Sequence, residues 1–447
     1  MDFSKIYNEK LIGPKEAAGL VKDGMRIDYG WGALMSKTFD KALANDLDRL
    51  NEISVCSGVV LSKPKIFDAD PEGKKVIWNS YHSGGPDRKR INAGEGGFYV
   101  PLRYSELPRW IRENIDVDIA VVVATPMNKH GYFNFGLSAS HQMAVIEKAK
   151  IVIVEVNKNV PYCQGGWEHE ISINDVDYII ESENEPLAEI PAGSFTDVDK
   201  KVAELIVEEI PNGATLQLGI GGMPNAVGSL IADSDLKDLG IHTEMYVDAF
   251  VDMTLKGKVN GSKKNVDRFR QAYAFAAGSK KLYEFLDNNA QAMAVPVDYT
   301  NDARVVGSID NFISINNAVN IDLYGQVSSE STGYKHISGT GGQLDFTLGA
   351  YLSKGGKGFI CLSSKFFNKK IDKEESRVVS EFPRGSVISV PRPCTHYLVT
   401  EYGIFNCKGR STWERAEGII NLAAPEFRDD LIKDAEKMGI WRNSNKR

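Results

Sequence analysis

The apolar positions of this chain switch between two periods. Residues 14–21 carry a proline in the first turn and apolar residues at helical spacing, which predicts a short helix, and residues 25–29 predict a strand. Phe39, Ala42, Leu43, Leu47 and Leu50 then fall on one helical face, and 53–60 reads as another strand. Further on, 119–125 and 151–156 are continuous apolar, β-branched runs that bracket a helical stretch at 142–150. A strand with no polar face is covered on both sides, as in the parallel sheets of α/β domains. The predicted fold class is therefore α/β.

The two halves of the chain repeat one another. Residues 23–32 (Asp-Gly-Met-Arg-Ile-Asp-Tyr-Gly-Trp-Gly) align without gaps on residues 212–221 (Asn-Gly-Ala-Thr-Leu-Gln-Leu-Gly-Ile-Gly), and a helical pattern precedes each. Helix, polar-Gly turn, short strand and Gly-x-Gly recur in the same order, which points to duplication. The polar, proline-bearing stretch 182–194 predicts the boundary. Beyond it, Thr196 is expected to cap a helix running to about residue 210, with Asp199 as its box partner. The expected organisation is two related open α/β domains, residues 1–190 and 191–447, the second carrying the candidate catalytic glutamate and the site lying between them.

Composition narrows the class. A chain of 447 residues exceeds one ordinary core, and a net charge of −7 argues against a nucleic-acid partner. Cys56, Cys163, Cys361, Cys394 and Cys407 form no CxxC pair and read as thiols in a reducing compartment. The first residues lack the basic-then-apolar order of a signal peptide, and the longest apolar runs are strand-sized. The expectation is a cytoplasmic protein that does not span a membrane.

Several motifs fail on spacing. Gly219-Ile220-Gly221-Gly222-Met223-Pro224 follows a strand but lacks the last glycine of a dinucleotide fingerprint, and Pro224 is expected to open the next helix. There is no phosphate loop, no HExxH pair (His169-Glu170 is followed by Ile-Ser-Ile) and no GxSxG elbow, and no metal is expected. His130 and His141 read as structural or pocket-lining groups. Three features remain. Glu244 stands in a β-like run, 240–248, at an offset occupied by Val55 in the first half. It is either an edge-strand carboxylate facing water or a functional replacement of an apolar residue. Ser-Gly-Thr-Gly-Gly-Gln-Leu-Asp-Phe, 338–346, is either a tight turn or a place where backbone N–H groups approach an oxyanion. The glycine loop after Gln217 repeats that device. Two such loops and a carboxylate suit acyl chemistry.

Longer blocks carry a family resemblance. They are 240–252 (GIHTEMYVDAFVD), 296–302 (PVDYTND), 310–327 (DNFISINNAVNIDLYGQV), 338–346, 396–405 (HYLVTEYGIF) and 411–442. Together they span nearly the whole chain, which resembles family I CoA-transferases of the acetyl-CoA hydrolase/transferase type, in particular members that exchange coenzyme A between butyryl-CoA and acetate. The resemblance implies two open α/β domains and Glu244 as covalent nucleophile, with a Gly341 or Gly339 amide as oxyanion donor. It implies that Gly219, Gly221 and Gly222 line the acyl end, and that Gln217, Asn316, Gly342 and Gln343 belong to the CoA and acyl site. Trp31 and Met35 either bound the acyl pocket or pack in the core. Lysines near 256–264 and 365–370 either meet CoA phosphates or are solvated. The reaction implied is ping-pong through a glutamyl-CoA thioester, without cofactor, CoA and short-chain carboxylates being substrates, in a homo-oligomer. Acyl-CoA hydrolysis, or transfer to 4-hydroxybutyrate or propionate, are the neighbouring activities; a silent acyl-CoA-binding protein and a sugar-phosphate isomerase are more distant ones.

Overall fold

The β-branched runs become the central strands of a parallel sheet in the computed structural model, which describes residues 2–190 and 193–442. Pro191 and Ala192, in the expected linker, lie outside the described residues. The first sheet contains β1 (Arg26–Trp31), β2 (Ile53–Gly58), β3 (Val76–Ser80), β4 (Gly97–Tyr99), β5 (Val117–Ala124), β6 (Ala149–Val156) and β7 (Tyr178–Glu181). Their order is β4-β3-β2-β1-β5-β6-β7, and every neighbouring pair is parallel. Ile27, Tyr29, Phe39, Leu43, Val55, Trp78, Ile119 and Ile153 are fully buried or nearly so in one cluster, because strand and helix faces of matching apolar period close on each other. The helix predicted from Pro14 spans Pro14–Gly19, and the one predicted from Gln142 ends at Lys148, where Ala149 opens β6.

A second set of strands comprises β8 (Thr215–Leu218), β9 (Gly240–Tyr246), β10 (Phe312–Asn317), β11 (Lys357–Cys361), β12 (Tyr397–Thr400) and β13 (Gly403–Asn406). They run in the order β9-β8-β10-β11-β12-β13, parallel except for the antiparallel β12–β13 hairpin. Here β8 lies between β9 and β10 as β1 lies between β2 and β5, so the aligned Gly-x-Gly segments occupy the same place in two copies of one topology. Each marks the point where strand order reverses, the crevice at which open α/β sheets bind ligands. Thr196 caps the helix Asp197–Val207: its Oγ1 accepts from Asp199 N at 3.2 Å while Asp199 Oδ2 accepts from Thr196 N at 2.8 Å. The helix after β8 spans Gly222–Asp233, so it begins two residues before Pro224.

Two expectations are corrected. The described chain divides into units that are not contiguous: residues 2–190 fold with Glu244–Tyr246 and Arg270–Thr300, and the second unit takes the other described residues. A single boundary at 190 therefore does not describe it, and Glu244 belongs with the first unit. The reason is pairing. Within the first unit, Ala276 N donates to Leu137 O (2.7 Å), Ser140 N to Ala274 O (3.0 Å), Gly166 N to Ala294 O (3.0 Å) and Val297 N to Ser140 O (2.9 Å). The second correction concerns register. Ser54 pairs with Arg26 and Gly240 with Thr215, and Arg26 and Thr215 are the aligned positions. Counting along β2 and β9, Ile241 is the counterpart of Val55, and Glu244 is the counterpart of Gly58.

Candidate active site

In the first unit, Glu244 is the one residue of β9 that is half-buried rather than buried, two positions before its carboxyl end. The same unit assembles aromatic side chains from distant stretches of sequence. Trp31 lies at the end of β1, between two glycines held at positive φ, Gly30 (84°) and Gly32 (61°). Its ring stacks on Tyr104 (centroids 4.5 Å, planes 12°) and meets His141 (5.3 Å) and Phe275 (5.7 Å) edge-on. Gly58 is paired with Trp31, and a Cβ there would come within 2.1 Å of the indole. Tyr104 opens a short 3₁₀ turn, Tyr104–Glu106, and its hydroxyl contacts Ser140 Oγ, which lies 2.9 Å from His141 Nδ1. Burial raises the Tyr104 phenol well above its ordinary range; the Ser140 contact offsets part of this, and the charge of Glu244 adds to it. Burial holds His141 down at about 3, so its imidazole is neutral.

In the second unit, the two glycine loops are tied to one set of amides. Gln217 on β8 receives Ser314 Oγ (2.8 Å) and Asn316 Nδ2 (3.1 Å) on its Oε1, and Asn316 Nδ2 also reaches Ser314 Oγ at 2.8 Å. Gly219 N donates to Ile315 O at 2.9 Å, and a Cβ on Gly219 would press on Asn316 Oδ1 at 3.3 Å. Gly221 adopts φ 122° at the start of the helix Gly222–Asp233, and Gly341 adopts φ 53°. Asn317 links the loops: its Nδ2 donates to Ile220 O (3.4 Å), and its backbone O accepts from Gln343 Nε2 (2.7 Å). Gly339, Gly341 and Gly342 are buried, and Gln343 begins the helix Gln343–Leu352. Both loops thus stand at the carboxyl ends of β8 and β10, where glycines, lacking side chains, let an anion approach the backbone closely.

The expected residues therefore fall into two sets. Gln217, Gly219, Gly221, Gly222, Asn316, Gly341, Gly342 and Gln343 share one set, with Gly339 in the same loop; Trp31 and Glu244 share the other. Trp31 is 2% exposed and Met35 5% exposed, so Trp31 acts as the back of an aromatic wall and Met35 packs in the core. Tyr104, Ser140, Phe275 and Asn317 did not stand out in the sequence. Only His141 carried a signal, and Asn317 was hidden beside Asn316. Several lysines considered for phosphate binding are engaged elsewhere: Lys256 with Asp233 (2.6 Å), Lys365 with Glu374 (2.6 Å) and Glu426 (2.7 Å), and buried Lys264 with Ile241 O (2.9 Å).

Comparison with known proteins gives this geometry a context. Residues 1–191 match the acetyl-CoA hydrolase/transferase N-terminal domain, and residues 278–435 match the corresponding C-terminal domain. The chain is 56% identical over its full length to the butyryl-CoA:acetate CoA-transferase of Anaerostipes caccae, all of which is covered. It is 47% identical to a probable butyrate:acetyl-CoA coenzyme A-transferase of Syntrophomonas wolfei, covering 98% of each chain. The crystal structure of RipA from Yersinia pestis superposes with a TM-score of 0.89 at 34% identity, over 98% of this chain and 100% of that one. The chain belongs to the acetyl-CoA hydrolase/transferase family.

Proposed function

We propose that the chain transfers coenzyme A from butyryl-CoA to acetate by a ping-pong route in which Glu244 is the nucleophile. The observation that carries this reading is full-length identity of 56% to an enzyme of that name, with Glu244 set near the carboxyl end of a parallel strand and its charge acting on Tyr104. A carboxylate is ionised at neutral pH and needs no separate base to attack. Glu244 adds to the thioester carbonyl, the C–S bond of the tetrahedral adduct breaks, and CoA leaves as thiolate, so that a glutamyl–butyryl mixed anhydride remains. The thiolate then attacks the glutamyl carbonyl, butyrate departs, and a glutamyl-CoA thioester remains. Acetate enters by the reverse steps and leaves as acetyl-CoA. No electron or proton is consumed, so the chemistry asks for no redox cofactor.

A carboxylate is a weak nucleophile, so the barrier falls mainly through orientation and stabilisation of the tetrahedral oxyanion. In this reading a Gly341 or Gly339 amide supplies that donor, each such donor contributing roughly 3–4 kcal/mol, and the loop Gly219–Gly222 receives the acyl end. Contacts to the long CoA arm supply binding energy used at the reacting bond. A homo-oligomer in the cytoplasm completes the proposal; among the described residues no helix is long and apolar enough to cross a membrane. The test is acceptor dependence. With butyryl-CoA and labelled acetate, label should appear in acetyl-CoA as fast as butyryl-CoA disappears. Release of free CoA at the same rate without any carboxylate would make the chain a hydrolase instead.

A further inference from the structure

The buried polar groups bonded to Tyr104, a phenol that feels the charge of Glu244, cost more than a packing role requires. Ser140 adopts φ 34°, a left-handed conformation disfavoured for a residue with a Cβ. It is held there from both sides, donating from N to Ala274 O at 3.0 Å and accepting on O from Val297 N at 2.9 Å. The strain aims its hydroxyl at two groups at once, the Tyr104 hydroxyl and His141 Nδ1. His141 is 1% exposed, and its Nε2 finds no protein partner among the described residues. An apolar filler would pack here without an unpartnered buried nitrogen, which costs about 1–3 kcal/mol. Ala274 and Ala277 join this cluster to the candidate nucleophile: Ser140 docks on Ala274, and Ala277 N donates to Tyr246 O (3.3 Å), two residues beyond Glu244.

We propose that Ser140 and His141 hold Tyr104 as a positioning residue for Glu244, the three side chains forming a hydroxyl–hydroxyl–imidazole relay that orders the phenol dipole before reaction. This deepens the proposed function and rests on Glu244 being the nucleophile. Trp31 and Phe275 fix the ring in place, at 4.5 Å and 6.1 Å between centroids, while the relay fixes the direction of its O–H bond. When Glu244 attacks, its negative charge moves onto the substrate carbonyl oxygen. A dipole already oriented in a water-poor wall responds to that movement without reorganising, which is where such groups contribute most.

The test uses the full-length enzyme and follows formation of the Glu244–CoA adduct after rapid mixing with butyryl-CoA. Tyr104→Phe keeps the stack on Trp31 and removes the hydroxyl; Ser140→Ala breaks the relay one step away. Each should slow adduct formation by about threefold to tenfold, the loss of one oriented hydrogen bond between neutral groups. KM for butyryl-CoA should stay within about twofold, and the double variant should be no slower than the slower single one, because members of one relay are not additive. A wild-type rate in Tyr104→Phe, or losses that multiply in the double variant, would overturn the relay. So would a lowered melting temperature with an unchanged rate in the folded protein. If Tyr104→Phe does not fold, Ser140→Ala decides alone by the same rate criterion. Absence of any adduct in the unmodified enzyme is a different result: it removes Glu244 as nucleophile.

Discussion

Gly58→Ala is the substitution that most sharply probes how the fold builds the aromatic wall. An added Cβ would lie 2.1 Å, 2.5 Å and 2.8 Å from three atoms of the Trp31 ring, all inside the distance at which a neighbour must move. The ring cannot give way freely. It is stacked 4.5 Å from Tyr104 and edged by His141 and Phe275, and it is 2% exposed. Inserting one methyl into such packing costs about 1–3 kcal/mol. For a unit of this size each kcal/mol lowers the melting temperature by about 2–4 °C. Displacement of Trp31 also moves Tyr104, so the rate of butyryl-CoA consumption should fall more steeply than stability alone explains, although no polar group has been removed. Thermal melts by circular dichroism and steady-state rates, compared at a temperature where both proteins are folded, measure the two effects. Gly13→Ala is the control: Gly13 has φ −75° and nothing within 4 Å of the added Cβ, so no ring is displaced and the turnover rate should match the parent's. If Gly58→Ala melts and turns over like the parent, the Trp31 ring does not occupy the place described.

Two further substitutions test the polar interior. Burial pushes the Asp28 carboxyl up to about 7, against an ordinary value near 4, while Gly30 N donates to its Oδ1 at 2.9 Å. Between those values the folded chain holds a proton that the unfolded chain has released, so this group makes stability fall as pH rises from about 4 to about 7 and level off above. Asp28→Asn keeps the acceptor and removes the charge. It should melt higher than the parent at pH 8, the gap closing towards pH 4, and an identical pH dependence in both would refute the buried acid. In the second unit, Gln217→Leu strips the shared acceptor from Ser314 and Asn316. Ser314 Oγ loses its acceptor while Asn316 Nδ2 keeps its bond to Ser314, so the loss is about 1–3 kcal/mol, and a melting temperature equal to the parent's would contradict the triad.

Local physics made much of the fold legible. The runs at 119–125 and 151–156 are apolar on both faces but for Thr125 and Glu155, and they contain the core of strands β5 and β6. Thr196 and Asp199 announced a capping box that forms as expected. The aligned Gly-x-Gly segments located both points of strand reversal. What could not be read depends on tertiary pairing. Nothing in the composition of 270–300 signals that this stretch returns to pair with Leu137, Ser140 and Gly166, because hydrogen-bond partners in a sheet are set by register rather than residue type. The counterpart of Glu244 was misread as Val55 for the same reason. Counted from the observed pairing it is Gly58, the residue whose lack of a side chain admits Trp31. Tyr104, Ser140 and Phe275 meet only after folding. The strained φ of Ser140 marks that cluster, but backbone dihedrals are not written in the sequence.

The measurement closest to the central claim is mass spectrometry of the peptide carrying Glu244 after incubation with butyryl-CoA and no acceptor. The account predicts a CoA adduct on that residue, discharged by added acetate with stoichiometric formation of acetyl-CoA, and loss of both adduct and turnover in Glu244→Ala. An unmodified peptide together with full activity in Glu244→Ala would contradict it.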